Sequence, residues 1–323
     1  MKIVAGLGSV DEYIPYVQAG ADELFCGYVP YNWTKKYGTV LPLNRREVLA
    51  YNVQLGSFSE LEILSAMIRK YRKPVHIAMN SLYYIPEQYE EIADIVKQCM
   101  KIGFDSFILA DPALILYLRQ KGISCKIHLS GEAGEMNREA IKVFREMGIG
   151  RIIFHRKNTV ASMRQMIEAV NAEKLEFEVF ALNELCQFTG AFCNSLHCDE
   201  MGYLCRTTYW GDAEMEERME RVRKRTLEIE EQQEQQYLCG KSGCALCALP
   251  QLKAAGITHL KLVGRGNYVE DMIRDIRNLK AALGVLEENQ REEKETGRYI
   301  DQLNKKIFDG QPCGNNCIYN PWQ

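Results

Sequence analysis

Short β-rich runs alternate with helical patterns through the first two-thirds of the chain, and this alternation constrains the fold more than any other feature. The strand-like runs are KIVAGLG (2–8), ADELFCG (21–27), PVHIAMN (74–80), SFILAD (106–111), CKIHLS (125–130), RIIFHR (151–156), LEFEVFA (175–181) and HLKLVGR (259–265). Amphipathic helices are predicted over 58–71, 86–102, 112–121, 137–147 and 159–171. Strands followed by helices read as parallel βα units. Eight of them predict an α/β fold closed as a (β/α)8, TIM-like barrel in preference to an open sheet. The joins KIGFDSFILAD, EMGIGRIIFHR and AAGITHLKLVGR each place a glycine where a helix would end before the next strand. A chain of 323 residues suits one such barrel with additions.

The alternation breaks after the seventh strand. Residues 182–211 are irregular and Cys-rich, 212–236 form a highly charged helical pattern, and CGKSGCALC follows at 239–247. The expected layout is a barrel over 1–284, carrying a Cys-rich insertion at 182–250, then a C-terminal unit at 285–323. That unit comprises a charged helix (285–308) and the tail CGNNCIYNPWQ. The insertion joins strands seven and eight, so it opens on the C-terminal face, where barrels of this kind place their sites. The 212–236 pattern reads as a solvated helix, or as a surface for a partner.

Twelve cysteines are the compositional anomaly. Cys26, Cys99 and Cys125 lie in apolar settings and read as core residues. Seven fall between Cys186 and Cys247, and two more are Cys313 and Cys317. Such clustering in an expected cytoplasmic chain favours metal or redox chemistry over disulfides. Of five histidines only His197 lies near these cysteines, so thiolate-only sites fit best. An iron–sulfur cluster, a Cys-only zinc site and unliganded thiols remain as readings. The N-terminus MKIVAGLGSV is not signal-like, and no apolar run reaches the length of a membrane span. A net charge of −3 gives no broad basic footprint for nucleic acid.

Strand alternation also marks polar groups aimed into the barrel. Lys261 and Arg265 share one face of strand eight, and Arg156 ends strand six. All three are expected to bind a carboxylate or phosphate, with Asn80 and Ser130 orienting the ligand. The alternative is that Asp111 or Glu132 neutralises these cations internally. His128 shares a face with Ser130 and reads as a proton carrier or a buried structural histidine; His76, at the start of its strand, lies on the stability side.

Several segments together resemble peptidase family U32. They are Glu178-Val-Phe…Leu185-Cys186-x6-Cys193, Gly202-x2-Cys205-Arg206, and Leu249-Pro250-x-Leu252-x2-Ala255-Gly256…Leu260-Lys261-Leu262-x-Gly264-Arg265. ADELFCG (21–27), MNSLYY (79–84), LADPAL (109–114) and the HLS…N…A pattern of 128–140 extend the likeness upstream. The resemblance implies a barrel with a 4Fe–4S cluster on Cys186, Cys193, Cys205 and Cys244, Cys247 being the rival to Cys244. It also implies anaerobic, oxygen-independent hydroxylation of a small aromatic or nucleobase substrate. Relatives act on ubiquinone precursors or on ribosomal and transfer RNA with prephenate as oxygen source, some as a pair with a paralogous U32 partner. The alternatives are a U32-type peptidase or hydrolase, and a non-catalytic cluster-bearing subunit. No G-x-S-x-G or H-E-x-x-H is present to supply a peptidase nucleophile or metal-bound water. The chain departs from the family pattern at Leu182-Asn183 (usually His-Gly), at Arg156-Lys157 (usually Arg-Glu) and in YVPYNWTKKYG at 28–38, where arginines are usual. Cys239, Cys247, Cys313 and Cys317 exceed the family's four cysteines and are candidates for a second metal site, C239-x4-C244-x2-C247 having a ferredoxin-like spacing.

Overall fold

The structure, a computed structural model, describes residues 1–38, 40–45, 53–170, 175–183, 186, 193, 237–291, 296–310, 313 and 316–319. Cys198, Cys205 and the charged pattern at 212–236 lie outside the described residues.

All eight expected strands form, and they close in sequence order into one parallel barrel. They are β1 (Lys2–Leu7), β2 (Glu23–Gly27), β3 (Val75–Met79), β4 (Ser106–Leu109), β5 (Lys126–Leu129), β6 (Arg151–Ile153), β7 (Glu176–Leu182) and β8 (His259–Leu262). β8 pairs with β1 in the register Lys2↔His259 to Ala5↔Leu262, which seals the sheet and leaves no open edge. The helices are α1 (Tyr13–Ala19), α2 (Tyr31–Tyr37), α3 (Phe58–Tyr71), α4 (Pro86–Lys101), α5 (Pro112–Gln120), α6 (Arg138–Glu146), α7 (Val160–Val170), α8 (Leu249–Ala254), α9 (Val269–Arg291) and α10 (Thr296–Ile307). The charged helix expected over 285–308 is divided: residues 285–291 complete α9, which packs on α1 as the last helix of the barrel, and 296–307 form α10.

Local sequence explains where the helices begin. Ser57-Phe58-Ser59-Glu60 makes a capping box: the Glu60 N–H donates to Ser57 Oγ (3.3 Å) and the Ser57 N–H to Glu60 Oε2 (2.8 Å). Asp111 caps α5, its Oδ1 accepting from Ala113 N–H at 2.8 Å, with Pro112 at the first helical position where no N–H is needed. Asn137 caps α6 by accepting from Glu139 and Ala140 N–H at 3.0 and 2.9 Å. At the opposite ends Gly103, Gly148 and Gly256 take φ of 105°, 76° and 93°, a left-handed region that stops the helix and turns the chain into the next strand. Cys26, Cys99 and Cys125 are buried in the hydrophobic core.

The barrel interior is layered two residues at a time. Its lower layer is polar rather than the usual aliphatic filling. It holds Glu23, His76, Ser106, His128, Arg151, Glu178 and His259, all buried. Stepping two residues along the strands from Glu23, His76, Ser106, Arg151, Glu178 and His259 gives Phe25, Ala78, Ile108, Ile153, Phe180 and Lys261. These six line a pocket at the C-terminal mouth.

Candidate functional site

Arg151 is the hub of the lower layer. Its guanidinium meets Glu23 (2.7 Å), Glu176 (2.7 Å) and Glu178 (2.8 Å), and Glu178 in turn accepts from Lys261 Nζ at 2.9 Å. His76 bridges Ser106 Oγ (2.5 Å) and Glu23 Oε2 (2.9 Å), while His259 Nε2 lies 3.2 Å from Glu23 Oε1. Burial alone would raise the Glu23 carboxyl, but hydrogen bonds from His259 and His76 and the Arg151 charge outweigh it and hold Glu23 far below the usual range. In Glu178 the Lys261 and Arg151 charges likewise overcome burial and bring it down to about 2. Burial depresses His76 and pushes His128 well below the ordinary imidazole value, so both are neutral near pH 7.

The mouth pocket, about 550 Å3 including its solvent-open part, lies directly above. Phe25, Ile108, Ile153, Phe180 and Val263 give it apolar walls; Arg45, Arg156, Lys261 and Arg265 bring cations; Glu132, Asn80 and Ser130 complete the polar lining. The Arg156 guanidinium stacks 3.6 Å above the Phe180 ring, and Lys261 Nζ sits 3.5 Å from the Phe25 centroid. Arg45 Nε is 3.4 Å from Glu132 Oε2, the one carboxylate lining the pocket among the described residues. Asn80 Nδ2 donates to Ser130 Oγ at 3.2 Å. Gly27 makes room for this arrangement: a Cβ there would stand 2.6 Å from Arg265 Nη1 and 3.1 Å from Asn44 Nδ2.

The structure thus brings Arg156, Lys261, Arg265, Asn80 and Ser130 to one pocket, as their strand positions imply. Lys261 is already matched by Glu178 from beneath, so it completes the buried charge ladder as well as lining the mouth. His128 does not line the pocket; its ring lies edge-on to His76 with centroids 4.5 Å apart. Asp111 is spent on capping α5 and accepting from Tyr89 OH at 3.0 Å. Arg45 was not singled out from the sequence. It lies in the aperiodic segment after α2, and only closure of the barrel carries it to the rim.

Cys186 follows the end of β7, and Cys193 is buried. Cys244 is fixed to that same strand end: Asn183 N–H donates to Gly243 O and Ala245 N–H to Ala181 O, both at 2.8 Å. Asn183 adopts φ 69°. Asparagine is the side chain that best tolerates this left-handed conformation, and its Nδ2 is held by Asp275 Oδ2 at 2.8 Å. Cys239, Cys244, Cys247, Cys313 and Cys317 line a second pocket of about 360 Å3 including its solvent-open part. Burial pushes the Cys247 thiol up to about 11. Among the described residues no three thiol, imidazole or carboxylate groups are already converged for a metal. Among the described residues Cys186, Cys193 and Cys244 nevertheless offer thiols, the donor type an iron–sulfur cluster requires, with Cys205 outside the described residues.

A family model, Peptidase family U32, matches residues 8–312. The chain belongs to that family. It is 25% identical over 174 residues to tRNA hydroxylation protein P of Escherichia coli (strain K12), covering 54% of this chain and 34% of that protein. With tRNA hydroxylation protein P1 of Bacillus subtilis (strain 168) it shares 22% identity over 214 residues, 65% and 46% of the two chains. The chain therefore spans less than half the length of these two relatives. Protein P2 of the same organism is 22% identical over 316 residues, 94% of each chain. Among solved structures, the U32 peptidase Mk0906 aligns with a TM-score of 0.42 at 15% identity, covering 56% of this chain and 69% of that one. Among the described residues no helix is long and apolar enough to cross a membrane.

Proposed function

We propose that this U32 protein hydroxylates a base in tRNA without molecular oxygen, using a 4Fe–4S cluster on Cys186, Cys193, Cys205 and Cys244. The observation that carries the reading is the mouth pocket: apolar walls surround three arginines at the C-terminal end of the barrel, beside the strand end that carries Cys186 and Cys244. Such a pocket suits a ligand with a flat, apolar body and an anionic group, which describes both a phosphate-linked base and an aromatic carboxylate serving as oxygen donor. The names of the aligned relatives support tRNA as substrate. The net charge of −3 is compatible with this if contact is confined to the rim, where the pocket's cations stand.

The chain's own residues do the binding. Arg156 and Arg265 take the anionic group, and Phe180 and Phe25 hold these cations in place from below. Asn80 and Ser130 present paired polar groups to the ring edge. A base inside a duplex cannot reach such a pocket, so the target must be flipped out or already unpaired. When bound, the cluster would supply electron transfer or activation of the oxygen donor. A hydrolase reading finds little to work with: among the described residues no imidazole lines the mouth, and Ser130, its one hydroxyl side chain there, accepts from Asn80 and the Glu132 N–H.

The cluster is tested by iron, sulfide and visible spectra of anaerobically purified protein. Cys186→Ser/Cys193→Ser is expected to lose about four irons and four sulfides per chain, the complement of one such cluster. Undiminished iron in that variant would refute the assignment.

A further inference from the structure

We propose that Cys239, Cys247, Cys313 and Cys317 form a second, thiolate-ligated metal centre that fastens the C-terminal tail to the barrel rim. It is separate from the set assigned to the 4Fe–4S cluster and does not depend on that assignment.

Two stretches nearly seventy residues apart, 239–247 and 313–317, turn their thiols onto one cavity, walled also by Phe308, Asn316 and Tyr319. The backbone holds them there. Cys244 N–H donates to Asn316 O and Ile318 N–H to Cys244 O, both at 2.8 Å, making a parallel bridge between Cys244 and Cys317. On its other side Cys244 bridges Leu182, so the tail is the outer member of a small three-stranded patch built on the end of β7. Bridged backbones lie about 5 Å apart, which places side chains of the two segments within reach of a shared ion. Ile318 and Tyr319 are buried, and α10 is tied in by Tyr299 OH donating to Leu246 O at 2.8 Å.

The loop also closes tightly over Cys244 in the cavity wall. Gly240 has φ 71°, and a Cβ there would stand 2.6 Å from Cys244 Cβ and 3.1 Å from its Sγ. Behind Cys239 lies a polar support: Tyr237 and Asn278 hydrogen-bond its thiol, Asn278 Nδ2 donates to Tyr237 OH at 2.8 Å, and Tyr237 OH donates to Asp275 at 2.8 Å. Supports of this kind orient metal ligands. The sulfurs stand around the cavity and have not converged, so loading draws them inward by side-chain rotation on a backbone already in place. The cavity is lined by these four thiols and by Cys244, with no histidine or carboxylate among the described lining residues, and such donors select a soft centre, either zinc or an iron–sulfur cluster.

The test compares metal and sulfide content of the anaerobically purified full chain with Cys313→Ser/Cys317→Ser and with Cys186→Ser/Cys193→Ser. The tail variant is expected to lose about one zinc, or about four irons and four sulfides, per chain. The Cys186→Ser/Cys193→Ser variant should retain that same complement. A zinc loss or an iron-and-sulfide loss identifies the centre. Unchanged metal in the tail variant overturns the proposal, as does loss of the identical atoms in both variants, which would make all these thiols one centre. If the tail variant fails to fold, Cd2+ titration of metal-stripped Cys186→Ser/Cys193→Ser protein decides. One equivalent with a strong sulfur-to-metal absorption band supports the site, and no such band overturns it.

Discussion

Glu178→Gln isolates the energetics of the buried charge ladder. The wild-type carboxylate is fully enclosed and meets Arg151 Nη1 at 2.8 Å and Lys261 Nζ at 2.9 Å. Removing one member of a buried ion pair costs about 3–5 kcal/mol, because the remaining charge has lost both water and partner. Arg151 keeps Glu23 and Glu176, each at 2.7 Å, whereas Glu178 is the one ion pair of Lys261 among the described residues. Lys261 can shed its proton, which places the expected cost near the low end, about 3 kcal/mol. Proton linkage gives the same size: a folded value of about 2 against the ordinary 4.5 corresponds to about 3 kcal/mol. For a chain of 323 residues the melting midpoint should fall by about 4–5 °C at neutral pH. Adding Lys261→Met to Glu178→Gln should recover part of the loss, since an apolar side chain leaves no orphaned charge. Scanning calorimetry at matched metal content reads both. A Glu178→Gln protein that melts within about 2 °C of wild type would show that the ladder carries little of the barrel's stability.

The same ladder sets the acid limit. Glu178 and Glu23 both have depressed folded values, so their contribution is complete above about pH 4.5 and is lost progressively as pH falls, for Glu178 down to about 2; a melting series across that range should fall steeply, and less steeply in Glu178→Gln, where the Glu23 share remains. Arg265→Ala should weaken binding of an aromatic carboxylate or of tRNA by about 10–100-fold, the worth of one charge-assisted contact, with metal content unchanged in parallel analysis. Gly27→Ala should displace the Arg265 guanidinium, since the new Cβ would lie 2.6 Å from Nη1; binding should weaken in the same assay while stability drops by about 1–3 kcal/mol. Asn137→Ala, which removes both cap bonds of α6, should cost about 1 kcal/mol in urea unfolding and leave binding untouched.

The barrel was legible because its signals are local. Each strand announces itself by β-rich composition, and the glycines at 103, 148 and 256 mark the turns between helix and strand. Period-two alternation also placed Lys261 and Arg265 on one inner face. What alternation does not reveal is the partner across the barrel. Arg151 and Glu23 are 128 residues apart, and their 2.7 Å contact exists only once β1 and β8 have closed the sheet. Glu178 was visible only as part of a family motif, although it anchors Lys261 from the neighbouring strand. Arg45 and Asn44 reach the mouth from a segment without periodicity, so no pattern marked them. The tail cysteines show the same limit: their number was evident, but their docking on Cys244 depends on backbone pairing between 244 and 316–318.

The central claim is tested most directly in tRNA nucleosides from cells that lack this protein, grown without oxygen and analysed by mass spectrometry. Wild-type protein supplied in trans should restore a nucleoside heavier by one oxygen atom, while Cys186→Ser/Cys193→Ser and Arg156→Ala/Arg265→Ala should not. A tRNA nucleoside profile unchanged by loss of the protein, or full restoration by the cysteine variant, would contradict the account.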